Sequence, residues 1–550
     1  MKKTALAILL AGASALCVNA QTITDAFLLS ENNYEGTART IALGNAVTAL
    51  GGDLGAVTIN PASSAVAKYS QITLSPGLSI TSTTTKGISP WADGSLPYFQ
   101  QQMRTTNSQF MLPNIGFSFN IDTHRSRGVK NISLGFTVNM TNSWNEDVYA
   151  AGVNSTTSYL GSMATNATGY SYDDLLSDNA FYNGVPWSAA IGAYTGMIAP
   201  TGNGAYIGAT EAELENGQII MAGDLDQSFG MRRSGGKYDY IFNVGMNISD
   251  FIYIGANIGI TSASYSYSQY IKESAVNPED FEIIMEDENG VQSVSYFNNM
   301  TYKTMYSLNS TGVYGKFGII VTPLSGLRIG AAIQTPSITV IKDNFSESGE
   351  AAFSGKGGGR FSETSPLGEN RYNLVSPFRA NVGIAYTFGR TALISADYEV
   401  CNYGRMKYKN AEYNDRQELD GINRNIGSIY GAAHNFRLGA EIKPIEQLAI
   451  RLGYGLTTSA DKNDLYGNRY PTLYSHDAAF GLGYSSRGSF FIDAAVKREF
   501  RNAENIKIYD DYIGDYDNSG NFIPDVNSPS PQFLLRKAPW KAVLTLGWRF

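Results

Sequence analysis

Residues 541–550 place Ala542, Leu544, Leu546, Trp548 and Phe550 on one side of an extended chain, and Lys541, Thr545, Gly547 and Arg549 on the other. A period of two is the signature of a β-strand with one apolar and one polar face. The pattern recurs. Phe378, Ala380, Val382, Ile384, Tyr386 and Phe388 alternate with Arg379, Asn381, Gly383 and Thr387. Phe436, Leu438, Ala440 and Ile442 alternate with Asn435, Arg437, Gly439, Glu441 and Lys443. Leu448, Ile450, Leu452, Tyr454 and Leu456 oppose Arg451, Gly453, Gly455 and Thr457, and Phe480, Leu482 and Tyr484 oppose Ala479, Gly481 and Gly483. A soluble sandwich would carry Lys, Glu and Thr on its polar face. Here that face mixes Gly, Ala and isolated charges, which suits the crowded inside of a barrel whose outside meets lipid. Tyr454, Tyr484 and Trp548, near strand ends, suit an interfacial aromatic girdle.

The connections alternate in length. Short ones fall at 122–130, 249–251, 323–326, 389–391, 444–447 and 485–489; long ones fall at 84–109, 145–236, 272–300, 342–375, 409–429, 459–473 and 501–539. Short periplasmic turns alternating with long external loops are the rhythm of outer-membrane barrels. Six short and seven long connections join about fourteen strands, an even number that leaves both chain ends at the short-turn side. No segment beyond the N-terminus offers the 18 or more apolar residues of a transmembrane helix. The expected fold is all-β: a transmembrane antiparallel β-barrel of about 14 strands spanning residues 68–550, with long extracellular loops.

The N-terminus reads as an address. Lys2 and Lys3 precede an apolar stretch from Thr4 to Leu16, and Val18, Asn19 and Ala20 suit signal peptidase, so cleavage after Ala20 is expected. Leu16 stands where a lipoprotein signal wants a small residue before Cys17. Removal of residues 1–20 leaves Cys401 as the only thiol, so no intramolecular disulfide forms. The expected location is the outer membrane of a Gram-negative bacterium, as a multi-pass barrel and a monomer. The terminal Phe550 is the kind of aromatic end by which such barrels are handed to the assembly machinery.

Residues 21–67 behave differently. They do not alternate and are dense in Gly, Ala, Asn and Thr, as in residues 42–52. The first convincing strand begins near Gln71. About eight strands already leave room only for side chains, so a fourteen-stranded barrel encloses space that something must fill. An N-terminal hatch folded into the lumen would fill it.

At this point a resemblance becomes visible. Gly36 to Thr40 (Gly-Thr-Ala-Arg-Thr), Leu50 to Asp53 (Leu-Gly-Gly-Asp) and Asn60-Pro61-Ala62 resemble the N-terminal hatch of the FadL family of outer-membrane transporters. Residues 436–441 and 450–454 and the final Phe550 are similar to its C-terminal strands. That family carries long-chain fatty acids and, in TodX-like members, aromatic hydrocarbons. The resemblance implies a fourteen-stranded barrel plugged by a hatch, passive uptake of hydrophobic small molecules across the lipid bilayer, and a gating role for Asn60, Pro61 and Ala62. The chain departs from the family in its long second external loop, 145–236.

Several features remain open at the level of residues. The inward charges Arg328, Arg379, Asp397, Glu399, Arg437, Glu441, Arg451, Asp493, Lys497 and Arg549 either pair with one another or leave one arginine for a substrate carboxylate. Arg328, Arg379, Arg437 and Arg451 are the candidates. Tyr170 to Leu176, with Phe181 and Tyr182, form either a landing surface for a hydrophobe or the core of a loop cap. Pro113, read as the start of the second strand, cannot donate to a ladder, and a bulge or kink in an early strand would open an exit through the wall. The competing function is a structural or adhesive barrel whose long loops bind an external ligand. The formal net charge of −8 offers no basic surplus for nucleic acid. Three histidines, His124, His434 and His476, fall on a turn, a loop edge and a strand start. They suggest neither a triad nor a metal centre, and a haem ligand has only such a scattered histidine behind it. Asp515 to Gly520 resembles half of a calcium loop, but Val526 stands where the closing acid belongs. No enzymatic activity, metal or cofactor is expected. Deleting Phe550 should lower the amount of chain reaching the cell surface, measured by surface labelling against total expression; undiminished surface labelling would refute the assembly reading of that residue.

Overall fold

The computed structural model describes residues 23–550 apart from 89–98, 100, 202–203, 216–217, 287–289, 410–415, 463–472, 517–521 and 526–527. The expected leader, residues 1–20, and residues 517–521 and 526 of the acidic loop lie outside the described residues. Fourteen antiparallel strands form the wall. They are β1 (Gln71–Gly87), β2 (Met103–Asp122), β3 (Val129–Ser143), β4 (Leu225–Ile248), β5 (Ile252–Ala275), β6 (Gln292–Leu324), β7 (Leu327–Gln334, resumed at Ile338–Gly355), β8 (Gly368–Val375, resumed at Arg379–Phe388), β9 (Ala392–Asn402), β10 (Ala432–Ile445), β11 (Leu448–Thr458), β12 (Leu473–Ser485), β13 (Phe490–Arg501) and β14 (Gln532–Arg549). β1 pairs with β14 from Gln71↔Arg549 to Gly87↔Phe533, which closes the barrel. The backbones of Ser70 and Phe550 exchange two hydrogen bonds of 3.0 Å at the seam. Closure matters because an unpaired backbone group in lipid costs several kcal/mol.

The alternation of the sequence is the alternation of the wall. Trp548, Leu546 and Leu544 are exposed to the outside, while Thr545, Val543 and Lys541 are buried inside. Two aromatic borders bound the lipid-facing band. Near the short turns lie Tyr386, Tyr484 and Phe388, and Phe490 packs on Trp548 at 5.4 Å. At the other border Tyr454 bonds His476 (3.2 Å), Tyr398 bonds His434 (2.7 Å), and Arg498 sits over the Trp540 ring at 4.6 Å. From Trp540 to Trp548 is about 27 Å along a strand at ~3.4 Å per residue, which after strand tilt suits the hydrocarbon band of an outer-membrane barrel. His434 and His476 are thus parts of a lipid border.

β6 has 33 residues and β4 and β5 have 24 each, whereas crossing the bilayer takes about 9–11. β4 to β7 therefore rise well beyond the membrane. Much of what the sequence presents as loops at 272–300 and 342–375 is this paired sheet. The outward side of β5 changes from Ile254, Ile258 and Ile260 to Ser262, Ser264, Ser266 and Ser268. Above the lipid the outer face turns polar, the apolar side of the alternation moves inward to Ala263 and Tyr265, and the hydrogen-bonded ladder continues. For the same reason β2 starts at Met103, ten residues before Pro113, and Pro113 lies in mid-strand.

Inside the raised sheet sits a cap built from residues 155–222, including α4 (Tyr159–Ala167) and α5 (Trp187–Tyr194). Its apolar core joins Leu160, Met163 and Ile191 to Phe229, Phe297 and Phe533 of the wall. Leu175 is buried in this core and Tyr170, Leu176 and Phe181 pack against it, so most of that segment is cap interior; Tyr182 is 72% exposed. A buried polar cluster lies between cap and wall, outside the membrane. Glu273 accepts hydrogen bonds from Ser158 Oγ (2.6 Å), the Tyr159 backbone N–H (2.7 Å) and Gln227 Nε2 (2.6 Å). Glu211 accepts from the Gly208 backbone N–H at 2.9 Å and from the Tyr512 hydroxyl. Neither carboxyl has a Lys or Arg partner among the described residues, and burial pushes each up to about 7 from an ordinary 4.5. The folded cap thus holds protons that the unfolded cap releases. The penalty is absent below about pH 4.5, grows as pH rises, and is complete above about 7. Proteolytic nicking of residues 155–222 should therefore be faster at pH 8.5 than at pH 5.5, and Glu273→Gln should flatten the dependence; equal rates at both pH values would refute it.

Candidate functional site

Residues 23–67 lie inside the barrel as short helices and turns: α1 (Ile23–Ser30), α2 (Ala38–Ala42) and α3 (Ser63–Val66). Their small side chains follow from the space available, and little regular structure leaves many carbonyls to satisfy. The wall supplies the donors. Lys316 Nζ donates to Thr58 O (2.7 Å), Asn257 Nδ2 to Val57 O (2.9 Å), Asn243 Nδ2 to Pro61 O (3.0 Å) and Lys237 Nζ to Leu29 O (2.9 Å). In return, Thr48 N–H donates to Asp397 (2.7 Å) and Ala38 N–H to Thr545 Oγ1 (2.7 Å). The sequence segments that suggest a hatch meet one another here: Thr37 Oγ1 donates to Asp53 Oδ1 at 2.7 Å, and Thr37 also caps α2.

Asn60, Pro61 and Ala62 form a fully buried turn against β5 and β6. Asn60 Nδ2 donates to Thr48 O (2.7 Å) and to Ile319 O of the wall (3.2 Å), and its Oδ1 accepts from Ala62 N–H (3.0 Å). The turn approaches the wall this closely because of two glycines. A Cβ on Gly318 would overlap Asn60 Oδ1, and one on Gly255 would overlap the Pro61 carbonyl. The Gly-rich polar faces of the strands are therefore seats for the hatch.

The candidate arginines separate into two kinds. Arg379 and Arg437 both pair with Glu399, the latter at 3.1 Å, and Asn381 adds a bond to Glu399 at 2.7 Å. Arg451 bridges Glu441 (2.6 Å) and Asp493 (2.5 Å). These three belong to a mutual network. Arg328 donates to Leu50 O of the hatch at 2.5 Å and has no carboxylate partner among the described residues. Sequence reasoning missed Lys316 and Tyr34. Lys316 is fully buried at the centre of the lumen, and the Tyr34 ring lies 5.6 Å from its ammonium and 5.3 Å from the Arg437 guanidinium. The signal for Lys316 was present, since it alternates with Phe317 on β6.

Above the charged layer the lumen becomes an apolar, tyrosine-rich chamber. Tyr265, Leu308, Ile341, Tyr372, Leu374 and Tyr408 line it, and Ile426 of α6 (Arg416–Ile429) covers it. α1 occupies this chamber. Ala26 and Leu29 are buried in it, and Phe27 stacks on Tyr430 at 5.1 Å and meets Tyr403 edge-on at 4.9 Å.

The wall also has a seam. β2 pairs with β3 only from Asn114↔Asn139 to Asp122↔Asn131. Above Pro113, β2 pairs with β1 alone, and the β1–β2 register shifts between Ser75 and Gly77, next to Pro76. The continuation of β3, Glu146–Asn154, parts from β2 but stays paired with β4 from Glu146↔Arg233 to Asn154↔Leu225, and it packs on the inner side of β1 and β2, with Thr83 Oγ1 donating to Asp147 O (2.5 Å) and Thr85 Oγ1 to Tyr149 O (2.6 Å). The hatch covers the vacated edge: Asn33 N–H donates to Thr141 O (2.7 Å), Glu35 N–H to Met140 O (2.8 Å), and Glu35 pairs with Lys541. Phe110, 69% exposed, stands outside at this level.

A closed apolar-belted wall with an internal hatch makes this a transmembrane β-barrel of fourteen strands with a plugged lumen. No protein-family model matches the chain, and no curated protein matches it in sequence. Among solved structures it is similar to a Pseudomonas aeruginosa FadL homologue, at 12% identity over 94% of this chain and 98% of that one with a TM-score of 0.47. It is also similar to the P. putida toluene transporter TodX (11% identity, 94% and 99% covered, TM-score 0.48) and the Ralstonia pickettii toluene transporter TbuX (13%, 94% and 99%, 0.44). Gly318→Val should unseat the Asn60 turn and raise single-channel conductance in planar bilayers above that of the native barrel. Asn60→Ala should act in the same direction at a cost of about 1–3 kcal/mol for each buried group left unpaired; unchanged conductance in both would show that this turn does not hold the hatch shut.

Proposed function

We propose that the protein is an outer-membrane transporter for passive uptake of hydrophobic small molecules, such as long-chain fatty acids or aromatic hydrocarbons, gated by its hatch. The observation that carries this reading is the tyrosine-rich apolar chamber filled by α1. A hydrophobic solute gains nothing from a water-filled pore and much from such a chamber, at about 25 cal/mol per Å² of apolar surface removed from water. Displacing α1 exchanges one apolar occupant for another, so the exchange is close to balanced and passive transport remains reversible. In this reading Asn60, Pro61 and Ala62 are the fixed seat of the hatch, and the segment from α1 to Glu35 is the part that moves. Release of Asn33 and Glu35 from β3 would open the seam above Pro113 toward the lipid. The short-turn side faces the periplasm, and the chain works as a monomer delivered by the barrel-assembly machinery through Phe550.

The test is retention and uptake together. Gently purified protein should yield hydrophobes by mass spectrometry, and cells expressing it should take up labelled toluene or oleate faster than cells without it. Deleting residues 23–31 should accelerate uptake. Uptake indistinguishable from that of cells lacking the protein, with ligand binding lost on trimming 145–236, would favour an adhesive barrel instead.

A further inference from the structure

Beneath the hatch, at the short-turn end, lies a second cavity of about 440 Å³. Leu50 and Gly51 of the hatch form its ceiling, and the turns after β8 and β10 form its floor. Four cationic side chains line it, Arg39, Arg328, Arg390 and Lys443, against two carboxylates, Glu441 and Glu446. Glu441 is already spent: Arg451 holds it at 2.6 Å, Arg39 at 3.4 Å, and Lys443 stands 3.8 Å away. The uncommitted positive charge is therefore that of Arg328 and Arg390, neither of which has a carboxylate partner among the described residues. Arg328 is half-buried and uses one N–H on Leu50 O, at 2.5 Å, which leaves the rest of its fork facing the cavity. A guanidinium sheltered from water beside other cations is a costly arrangement unless an anion visits it. The planar fork matches a carboxylate in two-pronged fashion. Leu50, Ala392 and Leu393 add an apolar side to the same cavity.

The geometry points to an oxyanion site at the periplasmic mouth that holds the carboxylate of a single-chain amphiphile, with Arg328 as the primary contact and Arg390 at the entrance. The volume falls within the about 300–1,000 Å³ of small-ligand sites, enough for a head group and the first part of a chain. The site deepens the transport reading and rests on it for the physiological ligand: it assigns to a molecule held at the short-turn mouth a charged end rather than a purely apolar one. Because Arg328 also anchors Leu50, an occupied site and a seated hatch share one side chain.

The test uses the full-length barrel in detergent with a Cys401→Ser background and Thr391→Cys, on the exposed turn, carrying an environment-sensitive fluorophore. Octanoate should give a saturable signal, and 1-octanol should give none in the same range. Arg328→Gln keeps an amide donor for Leu50 O and should weaken octanoate by about 10- to 100-fold, the effect of losing a hydrogen bond to a charged group. Arg390→Gln, on an exposed turn where folding is not at stake, should weaken it by about two- to fivefold. Heat-modifiable gel mobility checks that each variant is a folded barrel. Equal responses to octanol and octanoate, or an unaltered affinity in a folded Arg328→Gln protein, would overturn the site. Inorganic phosphate binding as tightly as octanoate would overturn the assignment to an alkyl carboxylate. Toluene uptake separates the two readings: a native protein that takes up no hydrophobe fails as a transporter, while the octanoate titration still decides the site.

Discussion

Backbone pairing in a solvent that offers no hydrogen bonds is the constraint on which the rest of this molecule depends. A chain that crosses lipid as strands must return its last strand to its first, and here Gln71 to Gly87 meets Phe533 to Arg549 to do so. Closing fourteen strands creates an interior wider than inward side chains fill. The N-terminal segment resolves that second problem, and its composition follows from it. Small residues thread the space, and glycines on the wall, such as Gly255 and Gly318, let the two backbones meet.

The same interior explains why so many charged residues survive inside a membrane protein. Burying Glu399 or Glu441 alone would be prohibitive, so each is surrounded by guanidinium and amide donors. The network does more than neutralise itself. Lys316, Lys237 and Arg379 reach past their carboxylate neighbours to hatch carbonyls, which makes the charged layer the floor on which the hatch rests. Above that layer the chemistry changes to tyrosine and aliphatic side chains, and below it to an unbalanced set of cations. The lumen is therefore stratified: an apolar chamber, a polar bearing and a cationic mouth.

Closure is also relaxed at one place. Pro76 in β1 and Pro113 in β2 withhold donors at neighbouring positions, the register slips there, and the continuation of β3 turns inward. The exposed edge is not left bare, since Asn33 and Glu35 of the hatch bond to it. Along this edge the hatch meets β3 through two backbone bonds and the Asn33–Asn142 side-chain bond, far fewer than the ladder that joins β3 to β4 on its other side. The ladder between neighbouring wall strands is therefore interrupted at this one edge, where β2 and β3 pair only from Asn114↔Asn139 downward.

Alternation and loop rhythm by themselves determined the class of fold, the strand number and the lipid-facing side of strands such as 436–442 and 541–550, because a lipid-exposed face must be apolar at every second residue. The Gly- and Ala-rich run before Gln71 determined that something compact precedes the barrel. The extent of β4 to β7 above the membrane was not legible: beyond Lys272 and Lys342 both faces of the strands carry polar residues, as at Lys272, Glu273 and Ser274, and the apolar face that marks a lipid-facing strand is gone. Nor was the division among the arginines. Arg328, Arg379, Arg437 and Arg451 all face inward by the alternation, and only the placement of Glu399, Glu441 and Asp493 across neighbouring strands decides that three are paired and one is not. Ion pairing, seating on glycine and the filling of a chamber are contacts between residues hundreds of positions apart, and they exist only once the barrel is closed.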